Sequence, residues 1–176
     1  MVRFAPFLFA LAASSAAALR IRSVTHSGPA CPQGTKVTWS GGIDDLVITL
    51  SDFSETLTAG QMTSCQVHLL IDEGESGKAL LLQDVVVRGG LYLSSNAKVD
   101  FYTTAGCSSA VVRNVTVAQR LNSVSPCVGG DGYVGILNVA FRIISQGGNR
   151  VVFGREYGDG GISPVTESLT FKWQGC

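Results

Sequence analysis

Charge of either sign is scarce in this 176-residue chain and balanced where it occurs, with thirteen Lys and Arg against thirteen Asp and Glu. Such a surface projects no field to gather nucleic acid or hold an anionic membrane, so neither partner is expected. Histidine is nearly absent, with only His26 and His68. No C-x-x-C pair occurs, which removes zinc-ribbon and thioredoxin-type readings. G-x-S-x-G is missing too, and with it the strained nucleophile turn of the α/β-hydrolases. Beyond residue 18 no run is apolar enough to cross a membrane, and apolar residues almost never recur at helical spacing.

What is present begins with MVRFAPFLFALAASSAAA, residues 1–18. Arg3 supplies a positive start, Phe4 to Ala13 an apolar stretch too short to span a bilayer, and Ala16-Ala17-Ala18 a small-residue cleavage pattern. Residues 1–18 therefore read as a secretory signal peptide, and 19–176 as a single secreted domain of ordinary size. The five cysteines, Cys31, Cys65, Cys107, Cys127 and Cys176, all follow the cleavage point and should mostly be oxidised outside the cell. Five is odd, so one thiol stays free or pairs with another molecule.

Alternation of apolar and polar residues with period two recurs along 19–176. "DLVITLSDF", "CQVHLLID", "AKVDFYT", "ILNVAFRI" and "SLTFKW" each put apolar side chains on one face, the signature of half-buried strands. "LLLQDVVV", "GLYLS" and "RVVFGRE" add further β-rich stretches. Gly, Asn, Asp and Ser cluster between them in "DEGESGK", "SSNAK" and "SQGGNR", residue types that suit turns. Nine to eleven short strands at this spacing predict an all-β fold, an antiparallel β-sandwich with a jelly-roll-like arrangement.

"GGDGYVG", residues 129–135, spells G-x-G-x-x-G. A phosphate-binding loop of that pattern follows a buried strand and opens a helix, whose N-terminal amides hold the anion. Here Ser125-Pro126-Cys127 precedes it and a period-two strand follows, so it reads as a turn. No cofactor is expected. A polysaccharide-cleaving copper monooxygenase binds its metal through an N-terminal histidine and a second imidazole. Cleavage at Ala18 leaves Leu19 first and His26 seven residues inward, so no metal site is expected either.

"SGPACPQGT", "SCQVHLLI", "VVVRGGLYL", "VDFYTTAG", "SPCVGGDGYVGILNVAFRI" and "LTFKWQGC", in that order, resemble a family of small secreted, mostly fungal proteins catalogued as domain of unknown function 4360. The resemblance implies a secreted β-sandwich with four cysteines of the family type, Cys31, Cys65, Cys127 and Cys176. It brings no established activity and no catalytic residues. "DEGESGK" stands where family members often carry a Pro and a Gly, and Cys107 is an addition. Four cysteines allow three pairings, which sequence does not decide; Cys31–Cys65 with Cys127–Cys176 is the pairing expected here. Cys107, the expected unpaired thiol, either packs as a small inert side chain or sits exposed and bonds to another molecule.

Asn114-Val115-Thr116 is an N-glycosylation sequon, and a glycan is expected on Asn114. Tyr133 and Tyr157 lie in or beside glycine-rich loops and are the expected ligand contacts, while Trp173 alternates with Phe171 and Leu169 and is expected in the core. The expected function is a non-enzymatic extracellular binding or effector-like module, acting on a wall glycan or a host protein. The alternative is a secreted polysaccharide hydrolase that draws an acidic pair from Asp72, Glu73, Glu75, Asp131, Glu156 and Asp159. Oligomeric state is not readable.

Overall fold

The computed structural model describes residues 19–101, 103–106, 111–147, 150–158 and 161–176. Of residues 101, 103–106, 111–115, 122, 156–158, 161 and 162 only the backbone is described. The strands are β1 (Arg20–Ser27), β2 (Val37–Ser40), β3 (Leu46–Leu50), β4 (Ser54–Leu57), β5 (Met62–Asp72), β6 (Lys78–Leu93) and β7 (Lys98–Phe101). They continue as β8 (Thr103–Gly106), β9 (Val111–Val124), β10 (Gly135–Gln146), β11 (Val151–Gly154), β12 (Glu156–Gly158), β13 (Gly161–Ser163) and β14 (Val165–Gly175). This is more strands than the nine to eleven expected, because several predicted stretches break at turns. "DLVITLSDF", for one, leaves the sheet at Leu50 and turns at Ser51 and Asp52.

One sheet runs in the order β1-β5-β10-β7-β8. The other follows β2-β3-β14-β6-β11-β4, with β9 along the opposite side of β6. β12 and β13 form a separate small hairpin. Every pairing is antiparallel. The chain is an antiparallel β-sandwich, and among the described residues there is no helix.

Alternation decides which side chains meet between the sheets. On β5 Cys65, Val67, Leu69 and Ile71 are buried; on β10 Val139, Phe141 and Ile143; on β3 Leu46, Ile48 and Leu50; on β14 Val165, Leu169 and Phe171. Each such aliphatic contributes roughly 1.5–3 kcal/mol by leaving water. Phe53, in the turn after β3, stacks against Phe141 of one sheet and Phe153 of the other, at centroid distances of 5.4 and 6.0 Å.

β6 departs from the sequence reading in two ways. "LLLQDVVV" and "GLYLS" form one 16-residue strand that passes through Gly89 and Gly90. Gly89 is there for close approach: a Cβ would lie 2.7 Å from the Phe153 ring. A bulge at Gln83 shifts the register against both β14 and β9. Without it Leu80 and Leu82 would face opposite to Val85 and Val87; with it, all four are buried.

Two disulfides are formed, Cys31–Cys65 and Cys127–Cys176, with separations of 34 and 49 residues. By the loop-entropy relation each restricts the unfolded chain by about 4 kcal/mol. Cys31 and Cys65 are fully buried, whereas Cys127 and Cys176 are exposed. Cys107 lies outside the described residues, as do residues 1–18.

Candidate functional site

Because the odd-numbered residues of β5 fill the core, its even-numbered ones face outward. Register then lines them up with their neighbours. Thr25, His68 and Asn138 stand side by side across β1, β5 and β10, as do Ser23, Leu70 and Ile136. Three strands at about 4.8 Å spacing place the outer members of each row about 10 Å apart. The Ser27 hydroxyl hydrogen-bonds with His68 Nε2 at 2.8 Å, and His68 Nδ1 donates to Asn138 Oδ1 at 2.5 Å. An amide oxygen can only accept, so the bond to Asn138 uses a proton on Nδ1. With Oδ1 engaged, Asn138 offers its amide N–H pair as donor. The result is a shallow trough of about 410 Å³ lined by Ser23, Thr25, His68, Leu70, Ile136 and Asn138.

A second groove, of about 590 Å³, adjoins the first on the flank where the end of β9 faces the start of β10. Ile71, Leu80, Leu82 and Phe171 contribute to its lining from the core. Val124, Tyr133 and Ile136 also line it and are 46, 50 and 61% exposed. Ile136 and Asn138 belong to both depressions, so the two adjoin along the start of β10. Among the described residues neither lining contains Asp, Glu, Lys or Arg.

The glycine loop forms one wall of this groove. Gly130 and Asp131 make a turn and Gly135 starts β10, so a strand and not a helix follows. Gly132 and Gly135 have φ of +72° and +126°, a backbone that side-chain-bearing residues rarely adopt. Asp131 Oδ1 accepts from the Tyr133 amide at 3.2 Å. The loop is tied down by Gly74 N–H to Gly132 O at 2.8 Å, Val128 N–H to Lys78 O at 2.8 Å and Val134 N–H to Ile71 O at 3.2 Å. The Cys127–Cys176 bond fastens its start. Gly74 is needed for the fit, since a Cβ there would stand 2.6 Å from Val134 Cγ2. Tyr133 thus projects from a loop held to the framework.

The other residues singled out from the sequence are dispersed. Tyr157 lies on β12 and Asn114 on β9, opposite Gly90, each with only its backbone described. Trp173 is half-buried, packed against the edge of the core and not within it. His26 is in register with buried Val67 and hydrogen-bonds to Pro32 O at 3.2 Å, while His68 faces outward; the two imidazoles are not brought together. Asp72 pairs with Arg22 at 2.5 Å, Glu73 with Arg20 at 3.7 Å and Glu75 with Lys78 at 2.6 Å. Asp131 serves the turn just described. Of the proposed acids, Asp159 lies outside the described residues and only the backbone of Glu156 is described.

Sequence reasoning passed over Ser23, Thr25, Val124, Ile136 and Asn138, and treated His68 as an ordinary strand histidine. Alternation places His68 and Asn138 on the polar faces of their strands, yet nothing in either strand alone states that they are partners. It also passed over Glu167, which is fully buried on β14 between Ile48 and Val87. Neither of its carboxylate oxygens has a hydrogen-bond partner. Desolvation by burial pushes its pKa up to about 8.

The model of a family described as a domain of unknown function, DUF4360, matches residues 17–111. No curated protein matches the sequence. Among solved structures, TmCBM61 in complex with beta-1,4-galactotriose aligns at 11% identity, over 89% of this chain and 90% of that one, with a TM-score of 0.25. The enzymatically active domain of bacteriophage CBA120 tailspike protein 4 aligns at 13% identity, over 88% of this chain and 20% of that one, with a TM-score of 0.18. Neither superposition is close enough to carry an argument about ligands.

Proposed function

The chain belongs to the DUF4360 family, and from that footing we propose that it is a non-catalytic extracellular module that binds a neutral glycan in the trough across β1, β5 and β10. One observation carries the reading: imidazole, amide and hydroxyl groups from three adjacent strands line the trough together with Ile136, the exposed Tyr133 lines the adjoining groove, and among the described residues neither lining holds an ionised side chain. A sugar presents hydroxyls at its edge and C–H groups on its face. The trough answers the first with Thr25, His68 and Asn138 and the second with Ile136, beside the groove that carries Tyr133. A phosphorylated or uronic sugar would want Arg or Lys, which the lining lacks. Two formed disulfides fit an oxidising compartment, and residues 1–18 supply the export signal. Asp72, Glu73 and Glu75 are ion-paired, and none of the three lines the trough.

The test is a glycan array probed with the secreted protein, with released sugars assayed in the same wells. Retention on uncharged glycans is expected, and Asn138→Ala should weaken it by about 5- to 30-fold, the loss of about 1–2 kcal/mol of hydrogen bonding. Equal binding by Asn138→Ala and His68→Ala variants would remove the trough from the account. Release of sugar from any polymer would overturn the non-catalytic reading.

A further inference from the structure

We infer that the ligand is an amphiphile, a neutral sugar carrying a hydrocarbon tail, with the tail lying in the flank groove between the end of β9 and the start of β10. The inference rests on the glycan reading of the trough and extends it. Val124, Tyr133 and Ile136 are three of the large hydrophobics most exposed among the described residues, and all three line this one groove. Scattered exposed apolar residues are ordinary; a convergent set in a concavity is the mark of an apolar contact. Between them the groove reaches the aliphatic core at Ile71, Leu80 and Leu82. A volume of about 590 Å³ is within the usual range of small-molecule sites.

Adjacency and charge select the occupant. Ile136 and Asn138 line both depressions, so a molecule crossing Ile136 meets hydroxyl, imidazole and amide groups on one side and hydrocarbon on the other. A fatty acid or phospholipid would bring an anionic head to a lining without Lys or Arg. The nearby cations Arg20, Arg22 and Lys78 are already paired to Glu73, Asp72 and Glu75. The wall is tied by the Cys127–Cys176 bond and by backbone hydrogen bonds, which resist collapse of the groove when it is empty.

The experiment titrates the secreted protein with methyl, butyl, hexyl and octyl β-glucosides and β-galactosides, each below its micelle threshold. Octyl phosphocholine and octanoate serve as head-group controls, and sedimentation monitors association. Affinity is expected to rise by up to about fourfold for each added methylene, then level off once the groove is full. Val124→Asp should remove the dependence on chain length while leaving methyl glycoside binding unchanged. His68→Ala should weaken every glycoside alike. Binding that is indifferent to chain length, with His68→Ala still weakening it, overturns the inference and leaves the glycan reading standing. Octyl phosphocholine or octanoate binding as tightly as octyl glycoside, with His68→Ala without effect, overturns both. Absence of binding by every alkyl glycoside, or self-association abolished by Val124→Asp, overturns the inference, the latter by naming a second copy as the occupant.

Discussion

Glu167 makes the stability of this protein depend on pH in an unusual direction. Its carboxyl sits on the core face of β14, between Ile48 and Val87, fully buried and without a hydrogen-bond partner. Burial disfavours the charged form, so its pKa stands at about 8 in the fold against 4.5 in the open chain. The folded state therefore holds a proton that the unfolded state has released between these values. Stability contributed by this group is complete below about pH 4.5 and is lost as pH rises through 8. Integrating the difference in bound protons from pH 5 to pH 7.5 gives a loss of about 3 kcal/mol. For a domain of this length that is a fall in Tm of about 6–12 °C. Glu55 on β4 is also raised by desolvation and acts in the same direction. Surface ion pairs add little in this window. Thermal unfolding followed by circular dichroism at pH 5, 6, 7 and 7.5 should show the decline, and Glu167→Gln should flatten it. Glu167→Met, which removes both the charge and the unpartnered oxygens, should raise stability at pH 7.5 by about 2–4 kcal/mol. A Tm that is level or rising from pH 5 to 7.5, or a slope retained in Glu167→Gln, would refute the reasoning.

Further tests address the framework and the groove. Gly74→Ala drives a Cβ against Val134, and should loosen the loop that carries Tyr133; expect ligand affinity to fall several-fold, with a loss of about 1–3 kcal/mol in urea unfolding. Gly89→Ala meets the Phe153 ring at 2.7 Å and should cost a similar amount without touching the trough. Graded reduction by dithiothreitol, read by alkylation and mass spectrometry, should open exposed Cys127–Cys176 before buried Cys31–Cys65, and the first step should lower stability by up to about 4 kcal/mol. The triple variant Val124→Ser, Tyr133→Ser, Ile136→Thr should keep the Tm of the parent within a few degrees, because these residues are already 46 to 61% exposed; a collapse in Tm would make them structural.

Much of the sandwich is written in alternation. The odd residues of β5 and β14 announce their buried face, and "GGDGYVG" is legible as a turn because a strand and not a helix follows it. Four features escaped for physical reasons. Glycine normally signals a break, so Gly89 and Gly90 split β6 in the reading; only the Phe153 ring, far away in sequence, explains Gly89. The bulge at Gln83 changes the phase of alternation within a strand, and its need arises from β14 and β9 together. The trough depends on register between strands, which places Thr25, His68 and Asn138 in one row; no single strand encodes that. The exposure of Tyr133 was legible because an aromatic inside a glycine loop has little to be buried against. Glu167 was not, because one acidic residue on an apolar face looks like an error of phase until burial is seen.

A site of this construction has its donors on strands and its aromatic on a loop held at several points. Binding then orders few groups, and each side chain already fixed saves roughly 0.5–1.5 kcal/mol of ordering cost. His68 is held between Ser27 and Asn138, so its imidazole is not searching rotamers when ligand arrives. The corollary of the proposed reading is limited adaptability: with the wall anchored through Cys127–Cys176 and the Gly74–Gly132 contact, a ligand in the groove would be selected by shape. Discrimination between glycans should therefore be carried by the position of the hydroxyls facing Asn138 and Thr25, and relaxing the loop should broaden the ligand range as it lowers affinity.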